Sequence, residues 1–130
     1  MNTLARGAAA TLLIAAALPV VGAGTAQASS SDVVRRGSCS ASTDWKIKAK
    51  PDDGRIEVES EIDSNRTGQT WSWVLRRNGA VAATGQSVTR SPSGSFEVSR
   101  RTANAPGADA FSFRAVNART GEVCLASVRL

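Results

Sequence analysis

The chain has 130 residues, 42% of them hydrophobic, with 16 lysines and arginines against 11 acidic residues and a formal charge of +5. Histidine and tyrosine are absent, and the two cysteines suit one bridge. This excludes Ser-His-Asp and Cys-His nucleophile systems and zinc sites built on imidazole, while the cationic surplus favours anionic partners.

Arg6 precedes an apolar, alanine-rich run over 8–21, and Ala26-Gln27-Ala28 forms an A-x-A cleavage pattern. Residues 1–28 therefore read as a secretory signal peptide. The apolar run is shorter than the ~20 residues that span a bilayer, so a released protein is expected, secreted and extracellular or associated with the cell envelope. Residues 29–38, SSSDVVRRGS, lack sustained periodicity and read as a flexible leader. The remaining 39–130 suffices for one domain with a small core. Exported cysteines pair, which predicts a Cys39–Cys124 bridge joining the domain's beginning to its end.

Within that domain period-2 alternation recurs between turn signals, and helical periodicity is missing. Strands are predicted over 41–50, 55–63, 70–77, 80–89, 95–101, 110–117 and 122–130. About seven antiparallel strands at this spacing suggest a small all-β sandwich of immunoglobulin-like character, with a partly closed β-barrel as the alternative. A monomer is expected.

The first hairpin reads KIKAKPDDGRIEVESEID, residues 46–63. A four-residue loop over 51–54 sets Lys48 opposite Glu57 and Lys46 opposite Glu59 on one face. On the other, Ala49 meets Ile56, Ile47 meets Val58 and Trp45 lies beside Ser60. Cross-strand opposite charges stabilise a ladder by a few tenths to about 1 kcal/mol each, so the carboxylates read as its outer side. Asp52 and Asp53 lack the spacing of an EF-hand loop. With Glu57 and Glu59 they could in principle act as a glycosidase pair, but lysine partners and a small domain argue against it. No catalytic residue, metal site or cofactor is expected.

The second hairpin, WSWVLRRNGAVAATG, is centred on Asn78-Gly79, the signal for a two-residue type I′ turn. Trp71, Trp73 and Leu75 share a face opposite the small residues Ala82 and Thr84, which favours core packing over a sugar-stacking surface. In the last hairpin a four-residue loop sets Ala115 opposite Cys124, Phe113 opposite Ala126 and Phe111 opposite Val128. The connections 89–95 and 102–109 are the natural places for variable contacts. Asn65-Arg66-Thr67 matches the N-glycosylation acceptor pattern, which carries little weight in a chain of bacterial character.

Eight of the eleven acidic residues lie between Asp32 and Asp63, whereas nine arginines and no lysines lie from Arg66 onward. Period 2 turns Arg76, Arg114 and Arg129 outward, and Arg101 too when Phe96 and Val98 point in. Arginines on neighbouring strands form a positive sheet face suited to phosphate or carboxylate. An anionic cell-wall polymer or an acidic protein is the expected partner. Nucleic acid is not, since exposed aromatics do not interleave with these arginines.

The segments CSASTDWKIKAKPDDGRIEVESEIDSNRTGQTW, PSGSFEVSRRTANAPGAD and ARTGEVC carry a resemblance to a group of small exported actinobacterial proteins of uncharacterised function. It covers nearly all of the chain after the signal segment and implies export, one disulfide and a compact β domain, without assigning functional residues. The expectation is a non-catalytic binding module with a basic arginine face. The alternative is a small secreted inhibitor or protein ligand acting through loop 102–109.

Overall fold

In a computed structural model covering residues 32–104 and 106–130, the fold grows from three antiparallel hairpins. The signal peptide expected over 1–28 and the leader residues 29–31 lie outside the described residues. Strands β2 (Asp44–Asp52) and β3 (Arg55–Asp63) are joined by Asp53 and Gly54, with φ of 48° and 74°. Two consecutive positive φ values define a type I′ turn, and Asp-Gly accommodates them at low cost. Asp52 therefore pairs with Arg55, and the register lies two residues from the one expected of a four-residue loop. Lys50 faces Glu57, Lys48 faces Glu59 and Lys46 faces Glu61, while Ala49 faces Val58, Ile47 faces Ser60 and Trp45 faces Ile62. A two-residue slip leaves every side chain on its expected face. Pro51 is tolerated inside β2 because antiparallel alternation turns its missing N–H away from β3, beyond the Val33–Ala49 pair of the neighbouring strand.

Strands β4 (Thr70–Arg77) and β5 (Ala80–Val88) turn at Asn78 and Gly79, with φ of 49° and 84°, the expected type I′ geometry. A β-bulge between Leu75 and Arg76 then shifts the register. Leu75 pairs with Ala83 and Trp73 with Gly85, rather than with Ala82 and Thr84. The shift sets Gly85 against the Trp73 ring, where a Cβ would stand 2.6 Å from Cζ2. Strands β7 (Ala110–Asn117) and β8 (Val123–Arg129) pair as expected, Ala115 with Cys124, Phe113 with Ala126 and Phe111 with Val128.

Two further strands complete the sheets. Residues 33–38, expected within a flexible leader, instead form β1 (Val33–Ser38), an edge strand antiparallel to β2. Its VVRRGS sequence hides the alternation because its inward positions include Arg35 and Gly37, and the Trp45 ring fills the space that a Cβ on Gly37 would take. Strand β6 (Ser95–Ala103) pairs with β3. The eight antiparallel strands lie in two four-stranded sheets, β1-β2-β3-β6 and β5-β4-β7-β8, so the fold is an all-β sandwich and not a closed barrel. With β1 as an added edge strand, β2-β3-β6 and β5-β4-β7-β8 follow the A-B-E and C′-C-F-G strand orders of an immunoglobulin-like sandwich.

Alternating side chains of both sheets meet in one core containing Ile47, Ile56, Val58, Ile62, Trp71, Trp73, Leu75, Phe96, Phe111 and Phe113. Trp73 and Phe113 stack with ring centroids 5.5 Å apart. The Cys39–Cys124 disulfide ties the β1–β2 connection to β8 and so links the two sheets. Glu122 fastens the same corner, accepting hydrogen bonds from the Ala41 and Thr43 amides at 2.9 and 3.0 Å and from Thr43 Oγ1 at 2.6 Å. At the opposite end Arg77 donates to the buried Asp109 carboxylate through Nε at 2.9 Å and Nη2 at 2.6 Å.

Candidate anion-binding face

The two outer faces of the sandwich differ in charge. Across the first sheet, Lys48, Glu59 and Ser99 form one row, Lys50, Glu57 and Arg101 the next, and Arg36, Lys46, Glu61 and Glu97 a third. Acids and bases are intermixed there, and their fields largely cancel. Across the second sheet the rows are Gln86, Ser72, Val116 and Val123; then Thr84, Val74, Arg114 and Leu125; then Val81, Arg76, Ser112 and Ser127. Arg129, opposite Ala110, closes the face. No carboxylate stands in these rows.

Arg76, Arg114 and Arg129 thus share the outer face of β4, β7 and β8, and among the described residues none of them forms an ion pair. Strand spacing and residue rise set their Cα atoms at the corners of a triangle with sides of ~7, ~12 and ~14 Å. Ser112 and Ser127 lie between them with hydroxyls able to donate or accept. Around them the face is apolar, with Leu125 60% and Val81 57% exposed. Planar guanidinium matches carboxylate and phosphate bidentately. The arrangement is suited to hold an extended chain of anionic groups.

Arg101 is outward as its parity requires, but it belongs to β6 in the other sheet. Sequence parity fixes a side chain's direction and leaves open which sheet its strand joins. Arg101 also lies 3.7 Å from Asp52 and 3.9 Å from Glu57, so its charge is locally compensated. The structure therefore brings together three of the four arginines and separates the fourth. Glu57, Glu59 and Glu61 of the first hairpin face Lys50, Lys48 and Lys46, Asp63 faces Asp44, and among the described residues no group of three His, Cys, Asp or Glu side chains converges on a cation site. Loop 102–109 contains exposed Asn104 and Pro106, and its last residue, Asp109, is held inside by Arg77.

Three arginines outside the anticipated set have definite places. Arg100 has inward parity on an edge strand and covers Trp73, its guanidinium carbon 5.3 Å from the ring centroid. Its position two residues after Val98 carried that signal in the sequence. Arg35 and Arg36 come from β1 and converge on Trp45 and Arg129 where the two sheets meet. Trp71 and Trp73 are core residues, 0% and 4% exposed, which leaves Trp45 as the half-buried indole.

No protein-family model, curated protein or solved structure matches this chain.

Proposed function

We propose that this protein is an exported, non-catalytic binding module that engages an anionic polymer of the cell envelope through the outer face of β4, β7 and β8. The observation that carries this reading is the asymmetry between the two faces: among the described residues Arg76, Arg114 and Arg129 share their strand rows with no carboxylate on one, while the other mixes acids and bases. The Cys39–Cys124 disulfide is compatible with an extracellular location. Binding is electrostatic at its core, so it weakens as salt shortens the screening length from about 30 Å at 0.01 M to about 8 Å at 0.15 M.

The test uses purified protein and immobilised polyphosphate over a salt series. Retention should fall steeply with salt and be lost in Arg76→Glu/Arg114→Glu, while Arg101→Glu should remain near wild type. Equal loss in both variants would mean that net charge, and not this face, governs binding.

A further inference from the structure

β1 runs beside β8 where the two sheets meet, and the side chains there enclose a groove of about 370 Å³ lined by Arg35, Arg36, Trp45, Phe111, Val128 and Arg129. The three cations reach it from different origins. Arg36 comes from the outer face of the first sheet, Arg129 from the outer face of the second, and Arg35 from an inward register opposite Ile47. Among the described residues no carboxylate lines the groove and these arginines form no ion pair. Arg35 Nη1 makes a single local bond, donating to the Val34 carbonyl at 3.0 Å. Three like charges around one groove repel one another, and an anion placed among them relieves that repulsion.

The aromatic floor adds a second requirement. Trp45 is held against Gly37, whose missing Cβ leaves room for the ring, and its remaining surface borders the groove on one side and a recess lined by Asp44, Lys46, Glu61 and Asp63 on the other. An indole beside unpaired guanidinia presents an apolar plate next to bidentate anion donors. The ligand that satisfies both is a ring with one apolar face and an attached carboxylate or phosphate.

We infer that this groove binds an acidic glycan, with a sugar ring stacked on Trp45 and its anionic substituent between Arg35, Arg36 and Arg129. The inference rests on the reading of the protein as an anion-binding module and adds the class of ligand. Because Arg129 also borders the sheet face, a polymer could continue from the groove onto that face.

Trp45 reports occupancy directly, since Trp71 and Trp73 are buried. Acrylamide quenching of the intact protein is measured with hexagalacturonate as the carboxylate probe, a mannose 6-phosphate oligosaccharide as the phosphate probe, and maltohexaose as the neutral control. Protection of Trp45 by either acidic probe supports the site and identifies the preferred anion. Absence of protection by both, or equal protection by maltohexaose, overturns it. Arg35→Gln/Arg36→Gln changes two exposed side chains and should weaken protection by about tenfold or more. Trp45→Phe preserves an aromatic packing surface and should weaken the same binding when it is followed by calorimetry. Arg76→Glu/Arg114→Glu separates the two readings: Trp45 protection that persists while polyphosphate retention is lost supports an independent groove. Polyphosphate retention with no Trp45 protection by either acidic glycan removes the groove and leaves the sheet face.

Discussion

Replacing Gly85 with alanine opposes two effects of known size. Gly85 does not need a positive φ, so alanine there restricts the unfolded chain and would by itself stabilise by about 0.4–1 kcal/mol. Against this, the new Cβ would stand 2.6 Å from Trp73 Cζ2 and 3.0 Å from Cε2, closer than carbon atoms pack. The ring has little freedom to retreat. It stacks on Phe113, its Nε1 donates to Ser87 Oγ at 3.1 Å, and Arg100 covers its face. Overpacking of this kind costs about 1–3 kcal/mol, and a pinned ring places the cost in the upper half of that range, so the net loss is about 2 kcal/mol. For a domain of this size the melting temperature should fall by about 8–16 °C. Urea denaturation should show a lower midpoint with an unchanged slope. A double-mutant cycle isolates the contact, because Trp73→Phe removes the ring atoms that the added methyl group would meet, and Gly85→Ala should then be neutral or stabilising. A neutral or stabilising Gly85→Ala in the otherwise unaltered protein would falsify the argument that this glycine makes room for the indole.

Three further substitutions or treatments probe the frame. Opening the Cys39–Cys124 bridge, whose residues are 85 apart, should cost roughly 4 to 5 kcal/mol on the chain-entropy model, read as a urea midpoint lower by about 2 M; an unchanged midpoint contradicts its stabilising role. Asp109→Ala leaves Arg77 without its carboxylate and should destabilise by about 2–3 kcal/mol in equilibrium unfolding, whereas a loss below about 0.5 kcal/mol would show that water replaces the pair readily. Ser60 presents a buried hydroxyl without a partner among the described residues, so Ser60→Ala should stabilise by up to about 1 kcal/mol; a clear loss in thermal unfolding would contradict this.

The sequence disclosed faces more faithfully than registers. Period 2 placed Ile47, Trp71, Phe113 and Cys124 inward, because the strands bury one face each and a slip by one residue would expose all of them. Pro51 next to Asp52-Asp53-Gly54 is compatible with a four-residue loop as well as with the two-residue Asp53-Gly54 turn, and the bulge beside Leu75 has no local signature apart from Gly85. β1 was hidden for a related reason: at a sheet edge Arg35 can occupy an inward position and still reach solvent, so hydrophobic alternation is lost. For the candidate site, outward parity was legible at Arg76, Arg114 and Arg129, yet Arg101 was grouped with them because strand order is a tertiary property. Arg35 and Arg36 acquire their relation to Trp45 and Arg129 only when β1 comes to lie beside β8.

The central claim is that the outer face of β4, β7 and β8 receives an anionic chain, and amide chemical-shift mapping with polyphosphate tests it most directly. The account predicts salt-sensitive shifts centred on Arg76, Ser112, Arg114, Ser127 and Arg129, with the Lys48–Glu59 ladder of the other sheet little changed. Shifts centred on that ladder, or spread evenly over both faces, would contradict it.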